Sequence, residues 1–164
     1  MSKSKDALLV IDVQNGFVSS KTEGIIDDLI KYIKKFDGCL KIATKFVNSG
    51  GGFKDIMHWD RLKAYPEIEV LKEVAQNVDY VIEKNVYTAC TKEVMKLLKD
   101  NKIEQVFLVG IDTDCCVLKT AIDLFENNIR PIVETKHCAS NGGPESHLAA
   151  IKVLERTIGR EQII

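Results

Sequence analysis

Four residues, at three distant places in the chain, follow or close apolar runs and have the chemistry for bond cleavage. Asp12 closes "ALLVID" (Ala7 to Asp12), and Lys84 closes "DYVIEK" (Asp79 to Lys84). Cys115 and Cys116 follow "QVFLVGI" (Gln105 to Ile111) and stand just ahead of a helical pattern. A carboxylate can act as a base, an ammonium can stabilise developing negative charge, and a thiol can attack a carbonyl carbon. A cysteine in the first turn of a helix faces free N–H groups and the positive end of the helix dipole. Both favour thiolate, and such sites lower the pKa to ~3.5–7.5. The same amides can hold an oxyanion. Thr113 or Asp114 can cap this helix. Helical phase leaves open which of the two cysteines takes the first-turn place. Each residue also has a plainer reading: a buried structural cysteine, a carboxylate bound to a loop amide, a solvated lysine at a strand exit.

The elements that must position these groups alternate in periodicity. Short apolar runs read as buried strands at Ala7 to Asp12, Cys39 to Val47, Asp79 to Lys84, Gln105 to Ile111 and Arg130 to Lys136. Amphipathic helices are expected at Gly24 to Phe36, Thr91 to Lys102, Cys116 to Asn128 and Glu145 to Gly159. "EQII" at the chain end reads as a short last strand. The stretch from Asn48 to Asn77 begins with the glycine-rich "NSGGGF" and is poorly patterned, so it reads as a lid or pocket wall.

Continuous apolar strands separated by helices imply an α/β fold. We expect three α/β/α layers around a mainly parallel, Rossmann-like sheet of five to six strands, with residues 1–164 forming one domain. Such sheets bind ligands beyond the carboxyl ends of their strands, where the strand order reverses. That places Asp12, Lys84 and the residues after Gly110 at one edge.

Composition narrows the partners. A net charge of -1 over 164 residues gives no electrostatic reason to expect nucleic acid or an anionic membrane. No apolar stretch approaches the ~18 residues of a membrane span, and the N-terminal run contains Asp12 and lacks a small-residue cleavage site. A cytoplasmic location is the resulting expectation. Five cysteines, an odd number without regular spacing, argue for reduced thiols rather than a disulfide framework.

Three segments together resemble the isochorismatase-like cysteine hydrolase superfamily. "ALLVIDVQNGFV" is similar to its opening strand, with the aspartate at Asp12. "VIEKNVYTA" is similar to its lysine motif, with the lysine at Lys84. "GIDTDCCVLKTAIDL" is similar to its cysteine signature, in which the cysteine before valine is the nucleophile. The resemblance therefore assigns that role to Cys116 and leaves Cys115 a neighbour without a catalytic role. It also implies a cis peptide at Ile111–Asp112 and an oxyanion hole formed by the backbone amides of Asp112 and Cys116. Phe17, Trp59 and Tyr87 are candidate substrate-binding residues.

The activity implied by the resemblance is hydrolysis of a C–N bond, amide or ureide, in a small molecule through a Cys116 thioester. Competing expectations are isochorismatase chemistry on a vinyl ether, or a non-catalytic binding or thiol redox-sensing module that uses Cys115 and Cys116. Nicotinamidases of the family bind a metal through an aspartate and histidines after the second strand. The corresponding "ATKFVNSGGGFKDIMHWD" has no Asp-x-His pair and offers only His58, while His137 and His147 lie in other segments. No metal and no cofactor are expected. Two further departures are Gly16, where the family often has an acidic residue, and Cys90, where it often has an aromatic. Homo-oligomers are common in the superfamily and are the expected assembly.

Overall fold

The computed structural model describes residues 5–164. Five strands form one sheet: β1 (Asp6–Ile11), β2 (Leu40–Phe46), β3 (Tyr80–Lys84), β4 (Gln105–Ile111) and β5 (Arg130–Ala139). All the pairings are parallel and the order is β3-β2-β1-β4-β5. The helices are α1 (Ile26–Lys35), the single turns α2 (Gly52–Asp55) and α3 (Lys72–Ala75), α4 (Lys92–Asp100), α5 (Leu118–Glu126) and α6 (Pro144–Thr157). The expected three-layer α/β/α architecture is the observed one.

The period of two along β1 explains the layers. Ala7, Leu9 and Ile11 join a core with Val94 and Leu98 of α4, Ala121 and Leu124 of α5, and Leu154 of α6. Leu8 and Val10 point the other way and pack with Leu29, Ile30 and Ile33 of α1 and Val74 of α3. A strand buried on both faces has no polar alternation to show, which is why these runs are continuously apolar. Thr91 starts α4 by accepting a hydrogen bond from the Val94 amide.

The chain moves from β1 outward to β2 and β3, then returns to the far side of β1 with β4 and continues to β5. The order therefore reverses between β1 and β4, and the crevice opens beyond Ile11 and Ile111. At this edge Gly110 has φ 122°, and a Cβ there would meet the Ile11 carbonyl oxygen at 2.2 Å. Only glycine allows the two strands to approach so closely.

Three boundaries differ from the expected ones. "EQII" is not a strand: residues Arg160–Gln162 form a 3-10 turn, and Ile163 adds one isolated parallel bridge to Val133. β5 runs on to Ala139 because a shift of register lets Cys138 and Ala139 pair with Gly110 and Ile111. The third is the helix expected from Cys116, where a turn of π-helix over Thr113–Val117 precedes α5. No helix of the described residues is long and apolar enough to cross a membrane.

Candidate active site

The strand ends bring the three distant groups together. The Lys84 ammonium lies 2.8 Å from Oδ2 of Asp12 and 3.6 Å from Sγ of Cys116. The Asp12 and Lys84 side chains are both fully buried. Lys84 also donates to the carbonyl oxygens of Val86 (2.8 Å) and Tyr87 (3.1 Å). Its three hydrogens are thus directed at two carbonyls and the sulfur. The contact with Asp12 is one of charge, off the line of a hydrogen bond, and Oδ2 has no hydrogen-bond donor. Oδ1 accepts from the Thr44 hydroxyl at 2.7 Å. Asp12 itself has φ 50°, a left-handed conformation in which a short polar side chain is better tolerated than most.

Cys116 owes its placement to the π-turn. Its neighbours Cys115 and Val117 both donate to the Asp112 carbonyl, at 3.2 and 3.1 Å. The Cys116 amide does not join them, and among the described residues the Asp112 amide has no acceptor. The Ile111–Asp112 peptide is cis. Neither Thr113 nor Asp114 caps this turn: Asp112 takes the cap position without a side-chain bond. The Thr113 hydroxyl instead meets Nδ1 of His147 at 2.8 Å, and Ser140 donates to Asp114 at 2.6 Å.

The expected depression of the thiol pKa is reversed. Burial pushes Cys116 well above the ordinary thiol value, the negative charge of Asp12 adds to that, and Lys84 only partly opposes it. The helix-terminus argument fails here because desolvation of a residue that is 6% exposed outweighs a partial dipole charge. Cys115 is pushed up to about 11 by burial and by Asp114 and Asp112.

A cavity of about 240 Å³ opens above Cys116. Phe17, Trp59 and Tyr87 line it, and so do Phe46, Phe53 and Cys115. The volume is below the ~300–1,000 Å³ of sites for drug-sized ligands. The rings support one another: Phe17 stacks on Trp59 at 6.2 Å and Phe53 meets Tyr87 edge-on at 5.0 Å. The segment from Asn48 onward is therefore a wall of the pocket. Leu62 occupies the space beside Gly16, where a Cβ would meet its side chain at 2.8 Å, so a larger residue at that position would collide.

Several residues escaped the sequence reading. Thr44 is a polar residue fully buried inside β2. Gln14, also fully buried, donates to the carbonyls of Phe46 and Ile68 and accepts from the Phe46 amide, tying the segment after β1 to the pocket wall. Asn141 lines the cavity and bonds Asp112 through both its amides, at 2.9 and 2.8 Å. A polar residue within or beside an apolar run was the signal available for the first two.

The donor set for a metal does not assemble after β2. His58 is exposed, His147 bonds Thr113, and His137 packs on Tyr32 with ring centroids 4.6 Å apart. Among the described residues, carboxylate oxygens of Asp112 and Asp114 and the Cys115 sulfur lie within 4.8 Å of one another. The three lie on one turn after β4, none of them directly follows β2, and no histidine is among them.

Known proteins place the chain. It is 27% identical over 153 residues to Isochorismatase family protein 1B of Dictyostelium discoideum, an alignment covering 87% of this chain and 67% of that protein. Its fold matches the pyrazinamidase/nicotinamidase of Streptococcus mutans with a TM-score of 0.84, at 22% identity over 97% of this chain and 99% of the other. It also matches the zinc complex of the Pyrococcus horikoshii pyrazinamidase with a TM-score of 0.82, at 21% identity over 94% of this chain and 96% of the other. The family model of the isochorismatase domain matches residues 6–162, almost the full length, and the chain belongs to the isochorismatase family.

Proposed function

We propose that this protein is a metal-independent cysteine hydrolase that cleaves the C–N bond of a small amide or ureide through a Cys116 thioester. The observation that carries the reading is the convergence of Lys84 on both Asp12 Oδ2 and Cys116 Sγ, at the foot of an aromatic-walled cavity. The pyrazinamidases among its structural neighbours support the amide-hydrolase part of the reading.

The resting thiol keeps its proton, so Asp12 acts as a general base during attack. Oδ2, which has no hydrogen-bond donor, takes the proton from Sγ as sulfur bonds to the substrate carbonyl carbon. The Asp112 and Cys116 amides receive the oxyanion, and the Lys84 ammonium offsets negative charge on sulfur. As the oxyanion collapses, the C–N bond breaks and Asp12 returns the proton to the departing nitrogen. Water, deprotonated by Asp12, then attacks the thioester. The acid leaves and Cys116 regains its proton.

The test is ammonia release from a panel of small amides and ureides, with acid-quenched samples weighed by mass spectrometry for an acyl group on Cys116. Cys116→Ala is expected to lose turnover and the adduct together. Undiminished turnover in that variant would refute the assignment.

A further inference from the structure

The cavity is unevenly charged. Its lining holds one carboxylate, Asp112, and one cation, Arg61. Arg61 is already committed: its Nε and Nη2 donate to Oε1 of Glu67 at 2.9 and 2.7 Å, and Nη2 also reaches the Gly16 carbonyl at 3.3 Å. Asp112 has no such partner. Its Oδ1 accepts the two Asn141 bonds, both from neutral amides, and among the described residues Oδ2 accepts none and no cation pairs with either oxygen. Asp12 and Lys84 neutralise each other below.

An uncompensated carboxylate in the cavity wall disfavours the negative charge that the reaction proposed above develops there. A substrate bringing its own positive charge to Asp112 removes that opposition, and a neutral or anionic substrate does not. Charge is then read in the transition state, where discrimination raises turnover. The remaining walls suit the same group, because aromatic rings attract desolvated cations. Lys84 already rests 5.2 Å from the centre of the Phe46 ring. Burial pushes Asp112 up to about 6, which leaves it mainly ionised at neutral pH.

We propose that the cavity selects small amides whose far end is positively charged, with Asp112 as the specificity-determining residue and Phe17, Phe53, Trp59 and Tyr87 as the surrounding walls. This rests on the amide-hydrolase reading for its chemistry but not for its binding preference.

Three amides of equal chain length separate the cases: β-alaninamide (cationic), butyramide (neutral) and succinamate (anionic). Trp59 is the single tryptophan and lines the cavity, so its fluorescence reports occupancy. In the Cys116→Ala protein, β-alaninamide is expected to bind about 10–100-fold more tightly than the other two, the scale of a charge-assisted hydrogen bond. Asp112→Asn is expected to abolish that preference. In the otherwise native enzyme it should lower kcat/KM for β-alaninamide and raise it for butyramide. Equal binding of all three, no binding of any, a preference for succinamate, or a cation preference that survives Asp112→Asn would each overturn the proposal. Asp112-dependent cation binding without ammonia release would uphold it and sink the hydrolase reading. Ammonia release without charge preference would do the reverse.

Discussion

Thr44 donates to Oδ1 of Asp12 at 2.7 Å, while Oδ2 of the same carboxylate faces Lys84 at 2.8 Å without an aligned donor. One oxygen is anchored and the other is left for a proton. The anchor lies 32 residues away on β2, and the same hydroxyl also accepts from the Asp12 amide at 3.2 Å. Thr44 is in this sense a positioning residue for the base.

Thr44→Val keeps the shape of the side chain and removes both bonds. We expect kcat to fall by about 10–100-fold with KM nearly unchanged, because the base is no longer held in place. Stability should drop by about 1–3 kcal/mol, the cost of a buried polar group left unpaired. A variant with wild-type kcat would remove Thr44 from the mechanism.

Asp12 and Lys84 should be coupled in stability as well as in catalysis. Losing one partner of a buried pair typically costs ~3–5 kcal/mol, since the other charge is stranded. Lys84→Met and Asp12→Asn, measured singly and together by urea unfolding, should be strongly non-additive, with the double variant more stable than the sum of the singles implies. Additive losses would mean that the two charges are independently solvated.

Cys116 should alkylate slowly at pH 7 and faster as the pH rises through 9, since its thiol is held above the ordinary value. Asp12→Asn removes the neighbouring negative charge and leaves the positive charge of Lys84, so the same sulfur should label several-fold faster at pH 8 in a variant that no longer turns over. Iodoacetamide labelling with peptide mass mapping reads this directly. An inflection below pH 7 in the wild type would contradict it.

Asp112 gives a stability signature. Its carboxyl is raised to about 6 in the folded chain against an ordinary value of 3.8, with burial the leading cause. The folded state therefore binds the proton more tightly, and folding is penalised progressively as pH rises from about 4 to about 6. Asp112→Asn should stabilise the protein at pH 8 by on the order of 2 kcal/mol and have little effect at pH 4. Equal effects at both pH values in thermal melts would show that the carboxylate is not desolvated.

Metal independence is open to a simple check. Exhaustive dialysis against a chelator should change the hydrolysis rate by less than about twofold, and added zinc should not raise it, because the histidines do not converge. Loss of activity on dialysis with recovery on adding zinc would reverse this part of the proposal.

Much of the fold was legible because burial writes itself into composition. A strand covered on both faces is apolar at nearly every position, so β1 and β4 could be read directly, and so could the groups just beyond their ends. Thr44 and Gln14 were not legible, since a polar residue in or beside an apolar run looks the same whether it anchors a carboxylate or merely satisfies itself. "EQII" has the residues of a strand but only one bridge, because Arg160–Gln162 curl before it reaches β5.

By itself the sequence determined which groups would stand at the carboxyl ends of the strands: Asp12, Lys84 and the cysteine pair. Only the tertiary structure decided their electrical states. Whether a thiol is acidic or a carboxylate is uncompensated depends on burial and on charges tens of residues away, and neither is a property of local sequence. The same holds for the pocket, whose walls come from the segments after β1, β2, β3 and β4 and from the turn after β5. Its shape and charge exist only once the sheet has gathered those ends at one edge.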